Sequence, residues 1–181
     1  MAAPWAGAGA QAAAPAAADV SFMQGMIAHH AQAIEMVALI GARSTSAAMA
    51  SLGERIEVSQ KDEIAMMQQW LREHGQAAPD PLAHMAMAMD MGDHDMPMMP
   101  GMLTKAQMAQ LAAAKGAAFD RLFLAGMIQH HEGALAMVKE LFATSGAAQN
   151  TAIFRFASDV DADQRAEIAR MRAMLTRMTS R

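Results

Sequence analysis

Apolar residues recur at three- and four-residue intervals along four stretches of this chain, the spacing that lines one face of an α-helix. The first stretch runs from about Asp19 to Ala42, with Asp19 as N-cap and Gly41 near its end. The second runs from about Ser46 to His74, with Gly75 as the stop. Pro79, Pro81, Pro97 and Pro100 then mark a long non-helical connection. Helical periodicity resumes at Thr104, pauses at Gly116 and continues through Asp120 to Ser145. After Gly146 a last stretch spans Asn150 to Met178. Short turns within each half make its helices antiparallel neighbours. The predicted fold is all-α, a four-helix bundle with one long crossover. The chain divides into an Ala-rich, uncharged tail over 1–18, a hairpin over 19–75, a linker over 76–103 and a second hairpin over 104–181. The tail is expected to be disordered, because Ala and Gly bury too little to offset ordering entropy.

The two hairpins repeat. Asp19, Phe22, Gly25, Met26, Ile27, His29, His30, Ala33, Met36 and Val37 align at an offset of 101 with Asp120, Phe123, Gly126, Met127, Ile128, His130, His131, Ala134, Met137 and Val138. The second helices align at 104, Glu63-Ile64-Ala65 with Glu167-Ile168-Ala169 and Met67 with Met171. Neither hairpin can bury its apolar face alone, so the two are expected to close about a pseudo-twofold axis.

Composition narrows the chemistry. The 181 residues contain no Cys, which excludes disulfides, thiolate zinc sites, iron–sulfur clusters and a cysteine nucleophile. A net charge of −4 gives no electrostatic case for nucleic acid or an anionic membrane. The tail has the length of a membrane span without its hydrophobicity, so no membrane insertion is expected. It also lacks the basic start and Leu-rich middle of a signal peptide, and is read as the stretch left behind once a signal has been removed. The hydrophobic fraction of 54% contains 21 Met against only 4% aromatics, so much of the core must be thioether.

Each repeat places Met at position i and His at i+3 and i+4. At 100° per residue, Met23, Met26, His30, Ala33, Ile34 and Val37 form one stripe. His30 therefore faces the interior, and His29 sits at the stripe's edge. Met127, His131, Ala134, Leu135 and Val138 repeat the stripe, flanked by His130. Di-iron bundles place Glu three residues before a His. None of the seven His here has that Glu, and Met26 and Met127 stand in its place before His29 and His130. Thioether plus imidazole without thiolate favours Cu(I), and by analogy Ag(I). The competing reading of such a pair is ordinary core packing. Asp19 and Asp120 are read as helix caps, with an internal ion pair to Arg55, Arg155 or Arg165 as second choice and metal ligation as third. Glu35 and Glu132 are expected to face solvent.

The linker strengthens the soft-metal reading. Residues 84–102 hold eight Met and two His among nineteen residues: His84, Met85, Met87, Met89, Met91, His94, Met96, Met98, Met99 and Met102. Proline and glycine make a regular helix unfavourable past Met91, so this is not the stripe of a core helix. Thioethers spaced along a pliable segment can converge on one soft ion. The alternative is an adaptable apolar flap.

The doubled signature Asp-x-x-Phe-x-x-x-Met-Ile-x-His-His-x-x-Ala-[Ile/Leu]-x-Met-Val, at Asp19–Val37 and Asp120–Val138, resembles a CopM-like bacterial copper-binding family, a domain of unknown function. The resemblance covers Asp19 to about Leu175. It implies a ferritin-like bundle, export to the periplasm or cell exterior, and copper held by Met26, His29, His30, Met127, His130 and His131, with Met67 and Met171 as additions. Met23 corresponds to Leu124, so the two sites need not be equal in ligand count.

The resulting expectation is an exported protein that sequesters or transfers Cu(I), as monomer or homodimer, with a copper donor or acceptor protein as partner. The alternatives are a periplasmic cuprous oxidase or other ferritin-like metalloenzyme, a non-covalent haem protein with Met/His ligation, and a plain interaction module.

Overall fold

The computed structural model describes residues 14–81 and 99–179. Most of the tail and the linker positions His84, Met85, Met87, Met89, Met91, His94, Met96 and Met98 lie outside the described residues. The chain is all-α, and no strand occurs among the described residues. Its elements are α1 (Ala17–Ala38), α2 (Ile40–Arg43), α3 (Ala47–Glu73), α4 (Lys105–Ala113), α5 (Gly116–Ala143) and α6 (Thr151–Thr179).

Local sequence sets most of these ends. Ser46 Oγ accepts the Met49 N–H at the start of α3. Thr104 and Gln107 form a reciprocal capping box on α4. Asn150 Oδ1 accepts the Ala152 N–H at the start of α6.

Asp19 departs from expectation. The helix starts earlier, at Ala17 with Ala16 as N-cap, because Ala extends a helix at little cost. Asp19 is instead buried, and its Oδ1 accepts the Ala148 N–H at 2.7 Å, in the turn of the other hairpin. It pins Ala148 at φ 54°, a left-handed conformation unfavourable to a residue with a Cβ. The carboxylate therefore ties the hairpins together and caps neither helix. Its repeat mate Asp120 is also buried, but its Oδ1 has no partner.

The core is divided. One apolar cluster contains Phe22, Met26 and Ile27 of α1, Ile64, Met67 and Leu71 of α3, Ala134, Val138 and Leu141 of α5, and Ile153, Phe156 and Val160 of α6. The other contains Met36 and Val37 of α1, Met49, Leu52 and Ile56 of α3, Phe119, Phe123 and Met127 of α5, and Met171 and Met174 of α6. Along α1 the first cluster precedes the second, and along α3 and α5 the order reverses. Along α6 it reverses again. Helices within each hairpin are therefore antiparallel, and so are α1 and α5. On every long helix buried or half-buried polar residues stand between the clusters: His29 and His30, Gln60 and Glu63, His130 and His131, Gln164 and Glu167. A polar belt thus crosses the bundle at mid-height.

The end of the linker is fastened across that belt. Gln32 Nε2 donates to the Leu103 carbonyl at 2.9 Å, and the Leu103 N–H donates to Gln32 Oε1 at 2.7 Å. The repeat mate of Gln32 is Gly133. A Cβ there would lie 1.9 Å from the Pro100 carbonyl oxygen, so only glycine lets the strap Met99–Leu103 lie on α5. Gly101, at φ 77°, makes the matching bend.

Candidate metal centre

The belt holds four imidazoles, all with no exposed surface. Helical spacing alone puts His29 at the edge of the inward stripe. It is fully buried because the strap covers it, and its Nε2–H donates to the Pro100 carbonyl at 3.0 Å. His130 Nε2–H donates to the His29 carbonyl at 2.9 Å. A carbonyl oxygen only accepts, so both rings must carry hydrogen on Nε2. The two rings meet with centroids 3.8 Å apart.

His30 and His131 turn the other way, toward the second helices. His30 Nε2 donates to Glu63 Oε2 at 2.5 Å, and His131 Nε2 donates to Glu167 Oε2 at 2.5 Å. Ser59 supports Glu63 through a 3.2 Å bond to Oε1. In all four rings Nδ1 is buried without a hydrogen-bond partner. So are the Oε1 atoms of Gln60 and Gln164 in the same layer. Buried polar atoms are normally paired, so this concentration of orphans is the most unusual feature of the fold.

Electrostatics fixes the state of the inner pair. Burial, and next the neighbouring His30, push His29 from 6.5 to about 3, against the bond to Pro100. Burial, and next His29, hold His130 well below the ordinary imidazole range. Both rings are neutral at physiological pH, so each Nδ1 presents a lone pair. On the outer side, Asp163 is raised by burial and then by Glu63, Glu167 and Asp159. Glu63, Glu167 and Asp163 thus stand close together between α3 and α6.

The sulfur positions divide. Met23 and Met26 lie buried in the first apolar cluster and Met127 in the second. Met67 and Met171 are buried likewise. Met99 and Met102 are half-buried on the strap. Among the described residues no group of three or more His, Asp or Glu side chains is placed to hold a metal ion.

Sequence reasoning missed Glu63 and Glu167 as partners of the His pairs. Their signal was present, because both stand in the matched second-helix segments. The Glu-x-x-His spacing speaks only for carboxylates on the same helix, whereas these come from across the hairpin. The expected exposure of Glu35 and Glu132 also splits. Glu132 is exposed and paired with Arg172 at 2.6 Å, whereas Glu35 is half-buried and its carboxyl is raised by that burial.

No curated protein matches this sequence. Among solved structures, a DUF305 fragment from Deinococcus radiodurans superposes with a TM-score of 0.75 at 30% identity, over 90% of this chain and 98% of that one. A DUF305 protein from Streptomyces coelicolor gives 0.74 at 27%, over 90% and 94%. CopM in its Cu(I)-bound form gives 0.65 at 24%, over 88% and 96%. The model of the domain of unknown function DUF305 matches residues 19–175, and the chain belongs to that family.

Proposed function

We propose that this protein is an exported copper carrier, which sequesters or hands on Cu(I), and by the same chemistry Ag(I), through Met and His. The carrying observation is the belt of four buried imidazoles, each bonded through Nε2 and each with Nδ1 unpartnered. A hydrogen bond from the far ring nitrogen orients an imidazole for a metal and raises its basicity, and carboxylate partners do so most strongly. Glu63 and Glu167 fill that role for His30 and His131, and the Pro100 and His29 carbonyls fill it for His29 and His130. Met26 and Met127 stand one turn away on the same helices. Met99, Met102 and the remaining linker methionines supply exchangeable thioethers, and the linker sequence adds His84 and His94. Thioethers are neutral and soft, so capture of a monovalent ion requires no proton release from them.

Structures titled as Cu(I)-, Cu(II)- and Ag-bound forms of CopM support this choice of ion. The family match and the doubled hairpin support a ferritin-like arrangement. Export is supported by a similar structure from Streptomyces coelicolor described as a putative secreted protein.

The test is an anaerobic Cu(I) titration against a competing chelator. It compares the whole protein, a linker deletion, and a variant with His29, His30, His130 and His131 all replaced by Ala. The reading expects tight binding by the whole protein and a loss of at least one equivalent in the four-His variant. Binding untouched by the four-His change and abolished by the deletion would move the site to the linker.

A further inference from the structure

The sequence repeat relates α1 to α5, but the strap crosses them only once. The repeat therefore generates two equivalent notches that end up different. On α1 the notch is at Gly25: a Cβ there would lie 3.4 Å from Met99 Sδ and 3.5 Å from Met137 Cε. On α5 the notch is at Gly126: a Cβ there would lie 3.0 Å from Leu103 Cδ2 and 3.3 Å from Met36 Cε. Met36 and Met137 are repeat mates, as are Gly25 and Gly126. The strap thus delivers a sulfur to one notch and a hydrocarbon to the other.

Burial separates them too. Gly25 and Gly126 are both half-buried, but Met36 has no exposed surface and Leu103 only 5%, so the side chains that fill the Gly126 notch are buried. Met99 and Met137 are both half-buried, so the Gly25 notch is reachable from solvent. The Met99 sulfur and the Met137 methyl lie no more than about 7 Å apart, since both touch the same missing Cβ. The Met137 sulfur is one bond behind its methyl, on a side chain with three rotatable bonds. One turn along α1 stands neutral His29, tied to the strap beside Met99 by the Pro100 carbonyl.

We propose that the Gly25 notch is a distinct binding site for a monovalent soft cation, held between the sulfurs of Met99 and Met137, and that its pseudo-equivalent at Gly126 is not. This rests on the soft-ion reading above and adds Met137, a residue outside both the doubled Met-His set and the linker, together with an inequality between the two halves. The strap enforces the inequality. The half facing Met99 gains a donor that Leu103 cannot supply to the other.

The test uses the full chain labelled with [ε-13C]methionine and titrated with Ag(I), which resists redox change. Met99→Leu, Met137→Leu and Met36→Leu assign the three methyl signals and conserve core volume. The expected result is that the Met99 and Met137 methyls shift together in the first equivalents while the Met36 methyl stays. Met99→Leu should weaken the Ag(I) response at Met137 by about tenfold or more, the scale on which metal sites respond to lost partners. Leu103→Met should add a methyl signal that shifts together with Met36. Silver shifts confined to other methionines, or a Met137 response unchanged by Met99→Leu, would overturn the notch and leave the copper-carrier reading standing. No methionine shift at all would overturn both.

Discussion

Gly133→Ala reverses the usual rule for a helix interior, and the size of the reversal is set by the strap. In an exposed helix, Ala is favoured over Gly by about 1 kcal/mol. Here the added Cβ would meet the Pro100 carbonyl oxygen at 1.9 Å and its carbon at 2.5 Å. Those are backbone atoms, so no side-chain rotation relieves the contact and the strap must lift. Lifting it breaks both Gln32–Leu103 bonds and the His29–Pro100 bond, each contributing about 1 kcal/mol. It also exposes Leu103, now 5% accessible, at a cost of about 2 kcal/mol. Set against the propensity gain, the net loss is about 3 to 4 kcal/mol, or roughly 10 °C in Tm for a chain of this size. Gly41→Ala is the control, because nothing lies within 4 Å of its Cβ, and it should be neutral or slightly stabilising. Thermal and urea unfolding followed by circular dichroism compare the three proteins. A Gly133→Ala protein as stable as wild type would refute the strap's packing and with it the burial of His29.

Asp19→Ala should destabilise by about 1 to 3 kcal/mol, because the buried Ala148 N–H loses its acceptor while its backbone stays strained. Asp120→Ala, whose Oδ1 already lacks a partner, should cost less, and urea midpoints of the two variants decide between them. In the metal-free protein His29 should show no 15N imidazole titration between pH 8 and 5, whereas a midpoint near 6.5 would refute its burial. The unfolded ring takes up a proton near 6.5 and the folded ring only near 3, so protons favour the unfolded chain. The His29 contribution is full above pH 6.5 and falls as pH drops from 6.5 toward 3, by about 1.4 kcal/mol per unit. Glu63→Ala and Glu167→Ala should each weaken Cu(I) binding by about tenfold or more in chelator competition, since each leaves a belt imidazole unoriented. Equal affinity in both variants would remove the carboxylates from the site.

The sequence alone determined the all-α class, because helix periodicity, Ala- and Met-rich composition and capping residues such as Ser46 and Thr104 are local properties. It also determined the duplication, and with it which His and Met residues recur. Spacing within one helix could place His30 on an inward face, but it could not show what His30 meets. That answer, Glu63, lies 33 residues away and depends on how α1 packs on α3. The same limit explains His29. Its face is marginal on a lone helix, and only the strap from 71 residues away buries it and fixes its tautomer. Asp19 resembles a cap because a cap is the nearest use for a carboxylate, whereas its partner Ala148 is 129 residues distant. The break in symmetry between Met99 and Leu103 was also invisible, because the repeat treats both halves alike and a chain that crosses once cannot. Local interactions chose the helices; contacts between residues remote in sequence chose which polar atoms were left without partners.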